Sequence, residues 1–103
     1  MKQYRFEAES AVEFDVESAF DWYESEEPGL GMDFLEQLRA AYRRILENAL
    51  EYQELRSGIR RALTRQFPYA VYFSIEDETI LILAVLHTAR DPAEWQRRIE
   101  SRG

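Results

Sequence analysis

Five residues in the second half of the chain have the types and spacing to handle a phosphodiester. Arg60, Arg61 and Arg65 fall within one short run, and His87 and Arg90 close another. A guanidinium fork holds phosphate or carboxylate oxygens in two parallel bonds. An imidazole takes up or gives a proton near neutral pH. If the two runs are neighbouring strands, cations and a histidine gather at one side of a sheet. Trp95, Arg97 and Arg98 extend the set as binding residues, a ring for stacking and two further cations. Each has a structural alternative: arginines protect strand edges, a histidine at a strand end is often hydrogen-bonded scaffold, and tryptophan is often core. Other chemistries lack their residues. One histidine and no cysteine leave only scattered carboxylates for a metal, so neither a metal nor a cofactor is expected. Gly29-Leu30-Gly31 reads as a turn rather than a phosphate-cradling loop, and no serine sits in an elbow motif.

The elements that must position these residues are legible in the hydropathy. Tyr69 to Ile75 (YAVYFSI) and Ile80 to Leu86 (ILILAVL) are rich in β-branched and aromatic residues, with Glu76, Asp77 and Glu78 as a polar connection. The second run is apolar at both parities, which predicts an interior strand covered on both faces. Ile59 to Gln66 precedes them as a third strand, separated by Phe67-Pro68. Gln3 to Ala8 alternates and reads as a first strand. Ser10 with Glu13 fits a capping box, followed by Val12, Val16, Ala19, Phe20 and Tyr23 at helical spacing. Pro28-Gly29 ends that helix. Phe34, Leu35, Leu38, Ala41, Tyr42, Ile45, Leu46 and Ala49 mark a second one, paired with the first as an antiparallel hairpin. Glu51 to Ser57 reads as a polar link. Asp91-Pro92-Ala93-Glu94 opens a last helix, with Asp as the cap and Pro at the first helical position, anchored by Trp95 and Ile99. The expectation is an α+β fold in the order β-α-α-β-β-β-α, an antiparallel sheet packed by a helical hairpin, with a short C-terminal helix. Residues 1–103 read as one domain.

Charge narrows the partners. The chain is 46% hydrophobic with a formal net charge of -7, which describes an acidic packed globule. Residues 1–54 hold fourteen acids against five bases, and residues 55–103 hold six against eight, all eight of them arginine. The only lysine is Lys2. An acidic surface opposes non-specific attraction to nucleic acid, so no direct DNA binding is expected. No apolar run is long enough to cross a membrane, and no secretory signal is visible. A cytoplasmic location is therefore expected.

The arginine-rich strand, FPYAVY, the AVLH strand end and the R-D-P-x-x-W helix start together resemble the RelE/ParE superfamily of bacterial type II toxins. FDWYESEEPGLGMDFLEQL is similar to its ParE-like, plasmid-stabilization branch. The resemblance covers nearly the whole chain and implies growth inhibition relieved by a cognate antitoxin. ParE-like members poison DNA gyrase, whereas RelE-like members cut mRNA on the ribosome. If the chain is a nuclease, the resemblance makes Arg65, His87 and Arg90 catalytic, with Trp95 near a position where an aromatic often serves. If it acts by binding, Arg60, Arg61, Trp95, Arg97 and Arg98 are the candidate contacts. Ala70 stands where the nuclease branch carries an arginine, and the lysine-rich ribosome-contacting segment is absent. The leading expectation is a ParE-like inhibitor of a macromolecular target. The alternatives are a ribosome-dependent endoribonuclease and an inactive orphan that keeps the fold and binds only a partner.

Overall fold

The computed structural model describes residues 3–89 and 93–100. Its elements are β1 (Arg5–Ala8), α1 (Ser10–Glu26), α2 (Leu30–Asn48), a 3-10 turn (Ala49–Glu51), β2 (Glu54–Arg56), β3 (Ile59–Leu63), β4 (Tyr69–Glu76), β5 (Thr79–His87) and α3 (Ala93–Glu100). The five strands form one sheet in the order β1-β5-β4-β3-β2.

The fold class is the expected α+β arrangement, with three differences in detail. First, the sheet is mixed. β1 pairs in parallel with β5, Phe6 opposite Ile80 and Ala8 opposite Ile82, while the other pairs are antiparallel. Alternation in Gln3 to Ala8 identifies which residues face the core, but carries no information on the neighbour's direction. Second, the link from Glu51 to Ser57 contains β2, a fifth strand. It is hairpinned to β3 through Ser57 and Gly58, both at positive φ (49° and 80°). A two-residue turn with both residues left-handed matches the twist of the flanking strands. Third, Ser10 does not cap α1. It is the first helical residue, and Glu9 occupies the cap position without a side-chain capping bond. The Glu9 N–H donates to the Ile82 carbonyl at 2.9 Å, the last rung of the β1–β5 ladder, and its carbonyl accepts from Val12 at 3.0 Å. Strand passes into helix with no residue to spare. The expected Asp91-Pro92 start of α3 lies outside the described residues, as does the Ile99 side chain.

α1 and α2 lie on one face of the sheet. Val12, Ala19, Phe34, Leu38, Ala41 and Ile45 meet Val71, Phe73, Ile80, Ile82 and Val85 in the main core. Their turn is tied by Glu24 of α1, whose carboxylate accepts from the Gly29 and Gly31 N–H groups at 2.9 Å each. Those are donors that the start of α2 leaves without helical partners. On the opposite face, Ile59, Ala70, Tyr72, Leu83, Ala84 and Leu86 pack beneath α3, with Trp95 against them. A bulge in β5 serves this double burial. Tyr72 faces Ala84 and Phe73 faces Ile82, so Leu83 is the extra residue. Leu83 and Ala84 thereby both turn to the α3 side. The run that is apolar at both parities is the interior strand that the sequence predicts.

Candidate functional site

Cross-strand register sorts the candidate arginines before any contact is considered, because residues directly opposite each other share a face. Arg61 lies across from Tyr72 on β4, and Arg56 across from Ile59. Both therefore belong to the α3 face. Arg60 points the other way. Its guanidinium donates to the Leu50 carbonyl at 3.3 Å and to the Tyr52 carbonyl, and pairs with Glu54 at 3.8 Å. It fastens the 3-10 turn after α2 and strand β2 to β3, which is a scaffold task. Arg65 is exposed in the turn between β3 and β4.

Arg98 is likewise engaged. It makes a bidentate pair with Asp15 of α1, with Nη2 to Oδ1 at 2.7 Å and Nη1 to Oδ2 at 3.0 Å, and Nη1 also donates to the Leu83 carbonyl at 3.1 Å. The same Asp15 carboxylate accepts from the Val85 N–H at 3.0 Å. β1 ends at Ala8, opposite Ile82, so beyond that point β5 has no strand neighbour on this side among the described residues. An ion pair from two helices takes the place of the missing strand. The hydrogen bond to Asp15 raises the Arg98 pKa above its ordinary value, against the lowering effect of burial. The Asp15 side chain is only 6% exposed. This residue escaped sequence reasoning, since one acid among the six of α1 carries no mark of a partner 83 residues away.

His87 ends β5 opposite Tyr69, whose ring belongs to the hairpin-side core. The two rings meet edge to face, with centroids 5.2 Å apart. The His87 Nδ1 accepts from the Ala89 N–H at 3.0 Å, which leaves Nε2 to carry the proton of the neutral ring. Thus His87 faces the hairpin side and Arg61 the α3 side. His87 and the Arg65 turn share one end of the sheet, since the Thr88 N–H donates to the Pro68 carbonyl at 2.7 Å just beyond that turn. Arg90 lies outside the described residues.

The α3 face has the composition of a contact surface. The Trp95 ring stacks on Tyr72, with centroids 5.6 Å apart and planes 13° apart, which leaves Tyr72 only 5% exposed. α3 packs against β5, and on the same face of β3 Leu63 is 54% exposed beside Arg61. Arg56, Arg61 and Arg97 are exposed there or on α3. Cations around an aromatic pair and an open leucine suit an anionic or mixed macromolecular surface.

A mixed five-stranded sheet, a helical hairpin on one face and a short helix with arginines on the other define a small α+β domain. The chain belongs to the family described as "ParE toxin of type II toxin-antitoxin system, parDE", which matches residues 8–92. A solved structure from P. aeruginosa, described as a chromosomal ParDE toxin–antitoxin system, shares the fold. The TM-score is 0.73 at 13% identity, over 82% of this chain and 96% of that one. No curated protein matches. No helix among the described residues is long and apolar enough to cross a membrane.

Proposed function

We propose that this chain is the toxin of a type II module, that it inhibits a macromolecular target by binding, and that a cognate antitoxin neutralises it. The observation that carries the binding reading is the α3 face, where exposed arginines, a stacked aromatic pair and an open leucine lie together. His87 lies on the hairpin side, while Arg61 and Trp95 lie on the α3 side. Cleavage of RNA needs a phosphate clamp, a proton acceptor and a proton donor within hydrogen-bond reach of one phosphodiester. A surface that binds has no such requirement, and the α3 face offers cations, stacked rings and an open leucine together. DNA gyrase is the target that the ParE family suggests. The alternative, a ribosome-dependent endoribonuclease, draws support from Arg65 and His87 sharing one end of the sheet.

Expression should stop growth, and co-expression of the protein encoded beside it should restore growth. The purified chain should inhibit gyrase supercoiling, and Arg61→Glu should abolish that inhibition with the melt unchanged. Primer extension after induction distinguishes the two activities. Discrete cuts at ribosomal A-site codons, lost in both His87→Ala and Arg65→Ala, would replace the binding reading with the nuclease one.

A further inference from the structure

The face of the helical hairpin turned away from the sheet carries a groove. Its volume is about 500 Å³, and its walls are Glu13, Val16, Glu17 and Phe20 of α1 with Met32 and Leu35 of α2. Met32 is 53% exposed, at a position that the solvent side of a helix ordinarily gives to a polar residue. The register of the two helices is fixed at their turn, where Gly31 lies against Phe20 and Glu24. The helices run in opposite directions, so Val16 is level with Leu35, and about one turn further Glu13 is level with Arg39. Arg39 stands one turn past Leu35 and Arg43 one turn past Arg39, so both extend the α2 side of the groove. Glu13, Glu17, Arg39 and Arg43 are all exposed, and none has an ion-pair partner among the described residues. The groove is thus an apolar strip with an acidic bank on α1 and a basic bank on α2.

We propose that this groove is an interface between two copies of the chain. A two-fold axis running along the groove lays α1 of each copy on α2 of the other, antiparallel, as a four-helix bundle. Val16 and Phe20 of one copy then meet Leu35 and Met32 of the second. Glu13 faces Arg39 of the second copy, and the reciprocal pair closes on the other side of the axis. The charges select this arrangement. A two-fold axis across the groove lays α1 on α1 and sets Glu13 and Glu17 against the same acids of the second copy, which is repulsive. The charges also select the occupant. An acidic or a basic helix of another protein matches one bank only, whereas a second copy matches both. The net charge of -7 on each chain opposes association, so the dimer is weak and depends on concentration. α3 lies on the side of the sheet opposite the hairpin, so both α3 faces point outward and stay available in the dimer.

Sedimentation equilibrium of the purified full chain tests this. The average mass should rise towards that of two chains as concentration increases from about 5 to about 500 µM. Met32→Glu should weaken the self-association about tenfold or more. Met32 is exposed in the first turn of α2, where an acid suits the helix dipole, so folding stays intact and an unchanged melt verifies this. Glu13→Arg alone and Arg39→Glu alone should each be monomeric, because each sets like charges across the axis. An equimolar mixture of these two variants should associate again, since each chain then meets opposite charges at both contacts. A parent chain that stays monomeric at the highest concentration overturns the inference. Self-association that Met32→Glu leaves unchanged also overturns it, and so does a mixture of the two charge variants that stays monomeric. Peroxide oxidation of Met32, read by mass spectrometry, covers the other occupant. The thioether should be protected in the concentrated chain alone. Protection only when the neutralising protein is bound assigns the groove to that protein and overturns the inference, while the toxin reading stands.

Discussion

Single residues here act mostly through partners that are distant in sequence. Arg98→Ala would leave the Asp15 carboxylate buried, with only the Val85 N–H of its present partners. Breaking a buried pair from one side costs about 3 kcal/mol. Removing both charges together, as Asp15→Ala with Arg98→Ala, should cost less than the sum of the single changes. Denaturant titration of the three variants checks this, and strict additivity would show that the pair is not coupled. Tyr42 offers a test by pH. Burial raises its pKa to about 12, with the Asp15 charge as a lesser cause. An unfolded tyrosine loses its proton near 10.0, so the folded state holds the proton more tightly. The stabilisation is fully present below pH 10 and is lost as pH rises towards about 12. A shift of about two units is worth at most about 3 kcal/mol. Tyr42→Phe should remove this part of the alkaline loss of stability, and a Tyr42→Phe chain that melts with the same pH dependence would exclude the effect. Neither the Asp15 pair nor the environment of Tyr42 is legible in the sequence, because periodicity says which face a residue is on and not what it touches. Arg60, Arg61 and Arg65 are the reverse case. Their presence on and after one strand is plain from the sequence, and only register separates Arg60, fixed to backbone carbonyls, from Arg61, exposed on the other face.

At the scale of elements, the α1–α2 turn shows a fit that composition hides. A Cβ on Gly31 would meet the Phe20 ring at 2.8 Å and the Glu24 Oε1 at 2.9 Å. Alanine gains about 1 kcal/mol over glycine in a helix interior. Overpacking costs about 1–3 kcal/mol, and here the displaced oxygen also caps α2. Gly31→Ala should therefore destabilise, and Glu24→Ala should cost about 1 kcal/mol through the lost cap. Thermal melts of both variants check the pair, and a Gly31→Ala chain that melts higher than the parent would refute the packing argument. The sequence presents this segment only as a glycine-containing turn. The helices themselves are legible because their apolar stripes are long. β2 is not, since three residues with a register shift give no period to read. The Ser57-Gly58 dipeptide is the signal that could have revealed it, as a hairpin turn directly before a strand-like run.

For the whole molecule, the sequence is informative about layers and silent about adjacency. The double-sided hydropathy of Ile80 to Leu86 correctly requires cover on both faces, and the structure supplies it with the hairpin on one side and α3 on the other. The placement of β1 has a consequence for how the protein is made. Among the described residues, the first strand has its only sheet neighbour in the last strand, about 70 residues later in the chain. Polypeptides are synthesised at about 5–20 residues per second, so β1 waits roughly 4–14 s for its neighbour to exist. Until then, β4 lacks one of its two neighbours, α1 and α2 have only part of a sheet to cover, and the α3 face lacks Leu83, Ala84 and Leu86. A nascent chain halted anywhere before residue 79 is consequently a fragment that lacks β5 and the two faces it completes. Interrupted translation of this message therefore yields an unfinished sheet rather than a smaller working domain.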